Sequence, residues 1–299
     1  MKLTVIQGPE EGFLGGPHST HFSACYKDII YNIDIEQCGV RKITIAPSGV
    51  SIYVDTLAVY YSLETLLMLL DGQFYPTLNV YNNDTEITYS WKKRSLPSYY
   101  SADFMMGSGN KLVDFEAVVN AELFQKWNEI KDELDLIHKM VLYCLSSVQM
   151  PKDMQCAFMT EAFEGLSELI SRRKSEIVFA KAKRNESQLK LNLLTYFDRF
   201  GKDIFQKEME SSADNLAQIL VDSRNKIAHI KSKQDRVYLD GAECVMYLMK
   251  LSLLYRVVLF DLLGIDNSLF SARLRLRVQA INVHDTMKNF LKKLGENNA

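Results

Sequence analysis

A chain of 299 residues has room for two domains of ordinary size, and 47% apolar with 24% charged residues is the composition of a soluble globular protein. A net charge of −2 excludes a global basic field of the kind that announces nucleic acid, so any such surface must be local. Five dispersed cysteines without a C-x-x-C pair (Cys25, Cys38, Cys144, Cys156, Cys244) exclude a disulfide framework and point to a reducing cytosol.

Taken in chain order, Met1 to Ile6 is too short an apolar run for a signal peptide. Residues 1–112 read as a β-rich domain. Leu3–Ile6, Ile29–Ile35, Arg41–Ala46, Ser51–Val54, Pro76–Tyr81 and Thr85–Trp91 are short runs rich in Ile, Val, Tyr and Thr, divided by Gly, Asn, Asp and Pro. Asn82-Asn83-Asp84 suits a hairpin turn, and Leu57–Leu70 is a helix apolar almost all round. Imperfect alternation leaves barrel and sandwich both open. His18, His21, Cys25 and Cys38 lie in and beyond a Gly- and Pro-rich stretch, without the tight paired spacing of a zinc site, and no metal or cofactor is expected. The Gly- and Ser-rich residues 96–110 form a linker, so the domains are 1–112 and 113–299.

Beyond it the grammar is helical. Phe115 to about Ser146 carries apolar residues every three to five positions, and Pro151 ends that helix's neighbourhood. Further helices are expected from Asp153 through Ile170, Leu191 to Glu210 with a break near Gly201, Ala213 to about Ala228, Gly241 to Leu263 with Gly264 as C-cap, and Thr286 to Leu294. Arg273–Val278 alternates with period two and leaves helix and edge strand open. The longest apolar stretch, Cys244–Leu263, contains Lys250, Arg256 and Asp261, which suits a buried helix better than a bilayer span.

The most informative segment is Val221-Asp222-Ser223-Arg224-Asn225-Lys226-Ile227-Ala228-His229, which ends one helix and precedes a polar loop and a long apolar helix. An Arg, a polar residue, three further positions and a His, together with the earlier helix reading Phe158-Met159-Thr160-Glu161-Ala162-Phe163-Glu164-Gly165-Leu166, resemble the HEPN superfamily, and within it the ApeA-like branch of bacterial anti-phage defence proteins. The resemblance covers residues 115 to 299. It implies an α+β protein: a β-rich sensing or regulatory domain, open to a phage or cellular trigger, followed by an all-α HEPN-like bundle. It further implies a cytoplasmic, metal-independent endoribonuclease of abortive infection that works as a homodimer, with Arg224, Asn225 and His229 catalytic.

The residue types suit that chemistry. Cleavage of RNA without metal needs a proton acceptor for the 2′-hydroxyl and a donor for the leaving 5′-oxygen, and histidine fills either role near neutral pH. A guanidinium holds two oxygens of the charged transition state. Lys226 on the same turn, and Arg172, Arg173 and Lys174 in a stretch of seven bases opposed by Glu176 and Glu186, are the candidate RNA-binding residues. Five helical residues rotate by roughly 140°, so Arg224 and His229 do not share a face. Either the helix frays near Ile227 or two chains compose the site. The competing reading keeps the HEPN-like bundle as a non-catalytic dimerisation or nucleotide-binding scaffold. In it His229 is a helix C-cap, Arg224 pairs with Asp222 or a nearby Glu, and the basic stretch is a solvated surface.

Overall fold

The computed structural model describes residues 1–8, 17–92, 110–145, 150–230, 233, 236–282 and 285–296. The chain divides into two compact units, Met1–Asp132 and Glu133–Ala299.

The first unit is built on one antiparallel sheet of strands β1 (Leu3–Gln7), β2 (His18–Tyr26), β3 (Ile29–Cys38), β4 (Val40–Pro47), β5 (Thr77–Asn82) and β6 (Thr85–Glu86), in the order β2-β3-β4-β1-β5-β6. The sheet is therefore neither barrel nor sandwich. Leu3, Val5, Ile33, Ile35, Ile43 and Ile45 are fully buried in adjacent register, with Leu3 opposite Ile45 and Val5 opposite Ile43. The turn at Asn83-Asp84 has both residues at positive φ, the mirror-image turn that matches strand twist. Helix α1 (Tyr53–Asp71) is long and apolar enough to cross a bilayer, but 67% of its apolar window is buried inside the protein, as in a core helix.

Three expectations change here. Ser51–Val54 is not a strand, because α1 already begins at Tyr53. Of Thr85–Trp91 only two residues pair, and Thr88–Lys92 is a short helix, α2, that buries Trp91. The His18 to Cys25 segment is strand β2 rather than a loop. His18 and His21, an odd number of residues apart, point to opposite faces, bonded to Glu116 at 2.7 Å and Asp34 at 2.5 Å.

The expected long helix from Phe115 is broken at Val119-Asn120 into α3 (Phe115–Val118) and α4 (Ala121–Leu145), the Asn120 side chain accepting from Leu123 N. Phe115, Phe124 and Trp127 are buried in the first unit, where Trp127 donates to Ser62 O at 2.8 Å. That packing carries the unit boundary to Asp132, beyond the expected position at 112, and α4 runs across it. The expected linker lies outside the described residues except for Asn110.

The second unit holds the rest of α4 with α5 (Lys152–Arg173), α6 (Gln188–Phe200), α7 (Lys202–His229), α8 (Gly241–Leu263), α9 (Ser271–Asn282) and α10 (Asp285–Glu296). Gly201 separates α6 from α7, and a Cβ there would stand 2.8 Å from Phe197 Cα. Extended backbone at Ser212 (φ −168°, ψ 104°) kinks α7, and the Ser212 hydroxyl accepts from Asn215 N, so residues 213–229 start as a freshly capped helix. Asp240 and Glu243 form a reciprocal capping box at the start of α8, and Gly264 closes it at φ 75°. The charges within α8 are accommodated: Lys250 pairs with Glu208 at 2.6 Å, both fully buried, Arg256 lies over Phe260, and Asp261 meets Lys174 at the surface. Residues 273–278 are helical, with Leu274, Val278 and Ile281 forming the buried stripe of α9.

Candidate functional site

The Arg224–His229 segment is the last turn and a half of α7. The helix does not fray near Ile227: it continues to His229, and Ile230 N–H bonds back to Ile227 O and Lys226 O with Ile230 in the left-handed conformation (φ 51°). That conformation is costly for a β-branched residue, because its Cβ crowds the backbone. Ile230 is 92% exposed.

Arg224 faces α5. Its Nε donates to Glu161 Oε2 at 2.5 Å and its Nη1 to Asn225 Oδ1 at 2.8 Å. The Glu161 carboxylate raises the guanidinium pKa, so the side chain stays a cation. Glu164, one turn along α5, has its carboxyl pushed up by burial and then by the Glu161 charge, with Arg224 opposing. Arg224 also lines a small cavity of about 30 Å³ with Cys156, Thr160, Ser223 and Cys244.

Asn225 and His229, four residues apart, share the other face. With Lys226, Asp222, Lys233, Arg236 and Tyr238 they line a cleft of about 340 Å³, within the usual range for a small ligand site. Lys226 Nζ stands 5.0 Å from the centroid of the Tyr238 ring, and the Tyr238 hydroxyl accepts from Lys233 N at 2.7 Å. Arg236 is braced by Asp222 at 2.9 Å. Three cations and an imidazole against one carboxylate make the cleft locally basic in an otherwise near-neutral chain.

Asn225 is thus the hinge between the halves of the motif: its side-chain carbonyl holds Arg224 while the same side chain lines the cleft of His229. The expectation that Arg224 and His229 lie on different faces holds. Arg224 pairs with Glu161 rather than with Asp222, whose carboxylate serves Arg236 and Gln218. Arg172, Arg173 and Lys174 are not brought to this cleft. They end α5, roughly 16–20 Å along its axis from Glu161 at 1.5 Å per residue. They are engaged with Glu133 and Asp261. Sequence reasoning missed Lys233, Arg236 and Tyr238, whose signal was the basic and aromatic content of the loop after the motif. It also missed the role of Glu161, which only packing of α5 on α7 reveals.

Residues 151–269 match the family model described as Apea-like HEPN. The match runs from the residue before α5 through α8 and so contains both Glu161 and the whole Arg224–His229 segment. No curated protein and no solved structure matches the chain. The helical second unit therefore carries a HEPN domain of the Apea-like kind.

Proposed function

We propose that this protein is a metal-independent HEPN endoribonuclease that serves in bacterial defence or stress response. The observation that carries the reading is the cleft in which Asn225 and His229 stand among Lys226, Lys233 and Arg236, with Arg224 tied to it through Asn225. His229 moves the proton between the 2′-hydroxyl and the leaving oxygen, and Arg224 with the cleft's cations meets the negative charge of the transition state. A second copy of the chain, docked by the helical unit, supplies the facing motif. The β-rich unit takes the trigger. Fragments ending in 2′,3′-cyclic phosphate are expected from total RNA, in the presence of EDTA. His229→Ala is expected to lower the rate by about 10²–10⁴ and Arg224→Ala by about 10²–10³, with the melting temperature little moved because both side chains lie at a polar helix end. Products with 3′-hydroxyl ends, or unimpaired cleavage by both folded variants, would refute the reading.

The Arg224–Glu161 ion pair supports the second reading, a non-catalytic HEPN scaffold, since it accounts for Arg224 without a substrate. In that case Arg224→Ala lowers stability or dimerisation, and no RNA is cut.

A further inference from the structure

Three of the five cysteines lie buried in the helical unit, and two of them line the same small cavity. Cys156 is the fifth residue of α5 and Cys244 the fourth of α8, so two helix N-terminal turns bring their thiols together. Both side chains line the small cavity that also holds Thr160, Ser223 and Arg224, with exposed Lys226 at its rim. Cys156 is the largest influence on Cys244, whose pKa it lowers, while Cys156 is raised by its contact with Cys244 and by burial. Helix N-termini favour the thiolate, the form that reacts with oxidants, while burial and the carboxylates of Asp153, Asp240 and Glu243 oppose it at Cys244. The cavity's roughly 30 Å³ is enough for a molecule of water's or hydrogen peroxide's size.

We propose that Cys156 and Cys244 are a modification site, a dithiol that peroxide-class oxidants convert to a disulfide beside Arg224. Cys244 attacks one peroxide oxygen, the O–O bond breaks, water leaves, and a sulfenic acid forms. Cys156 then attacks that sulfur, displacing a second water. Two electrons pass from the sulfurs to the peroxide, and the two thiol protons leave in the two waters. The new bond draws the start of α5 toward the start of α8. Glu161 stands on α5 just over a turn beyond Cys156, so the pull reaches the carboxylate that holds Arg224. The site does not depend on the ribonuclease reading.

The test uses the full chain with Cys25→Ser and Cys38→Ser, treated with graded hydrogen peroxide, alkylated and mapped by peptide mass under non-reducing conditions. The expected result is a single Cys156–Cys244 cross-linked peptide, reversed by dithiothreitol, with Cys144 still alkylated. A Cys156→Ser variant is expected to stop at Cys244 sulfenic acid, trapped by dimedone added together with denaturant after the peroxide is removed, in roughly tenfold greater yield than any adduct at Cys144. Both thiols surviving peroxide that oxidises Cys25 and Cys38 of the unaltered chain, a bridge that involves Cys144, or no dimedone adduct in the Cys156→Ser chain would each overturn the proposal.

Discussion

On the proposed ribonuclease reading, Arg224 has two fixed contacts and two jobs that compete for them. Its Nε is committed to Glu161 and one Nη1 hydrogen to Asn225, which leaves the outer edge of the guanidinium to meet a phosphate. Glu161 is then a positioning residue: it holds the fork in place and keeps it charged. Glu161→Gln retains an acceptor but removes the charge. In an RNA cleavage assay it is expected to lower turnover by about 10- to 100-fold through misplacement of Arg224. Stability should shift by at most about 1 kcal/mol, because both partners are partly exposed and solvent screens the pair. A large loss of melting temperature with unchanged turnover would instead make the pair a structural brace.

At the scale of elements, two basic segments are candidates for the RNA contact. The end of α5 carries Arg172, Arg173 and Lys174, but Glu133 and Asp261 offset two of the three charges and the trio stands far along the helix from the motif. The loop between α7 and α8 carries Lys233 and Arg236 and shares its cleft with His229. Affinity for a short RNA, measured against salt concentration, separates them. Lys233→Ala and Arg236→Ala are each expected to weaken binding and to reduce the salt slope by about 1, one released counterion per lost phosphate contact. Substituting the α5 trio should leave the slope unchanged. The reverse pattern would move the interface to the end of α5.

Across the whole molecule, one buried titratable group in each unit gives stability an opposite dependence on pH. Glu64 in the first unit accepts from Gln7 Nε2 at 2.8 Å and Tyr60 OH at 2.9 Å, yet burial dominates and raises its carboxyl from 4.5 to about 7. Its folded state favours the neutral acid. The stabilisation is complete below 4.5 and is lost as pH rises through 7, an amount of about 3 kcal/mol. His138 in the second unit shares a hydrogen bond with Tyr255 OH at 2.9 Å, and burial lowers its pKa from 6.5 to about 4, with Asp135 opposing. Its stabilisation is present above 6.5 and is lost as pH falls through 4, again by about 3 kcal/mol. Both tryptophans, Trp91 and Trp127, lie in the first unit, so their fluorescence follows that unit, while far-ultraviolet circular dichroism is weighted to the helical one. Urea midpoints by fluorescence should fall from pH 5 to 8 and flatten in Glu64→Gln. Midpoints by circular dichroism should fall from pH 7 to 4 more steeply in the parent than in His138→Gln. Parallel curves for parent and variant would show that neither group is the source.

Local pattern alone determined much of this protein. The Ile-, Val-, Tyr- and Thr-rich runs at Leu3–Ile6, Ile29–Ile35 and Arg41–Ala46 are strands, the C-cap at Gly264 ends α8, and the Arg224–His229 segment closes a helix, because each depends on neighbours within a turn or a hairpin. What only the tertiary structure decided depends on partners distant in the chain. Strand β2 carries polar residues and no strong alternation, and it is a strand because β3 pairs with it along its whole length. The helix expected without interruption from Phe115 breaks at Asn120, and Trp127 is drawn to Ser62 O, which moves the unit boundary into α4. The motif residues were legible, yet the partners of each were not. Arg224 turns toward Glu161, 63 positions earlier, and His229 opens onto Lys233 and Arg236, because α5 packs against one face of α7 and leaves the other to the loop that follows. Spacing along a helix sets the angle between two side chains, and only the packing of other elements decides which of them meets a partner and which meets solvent.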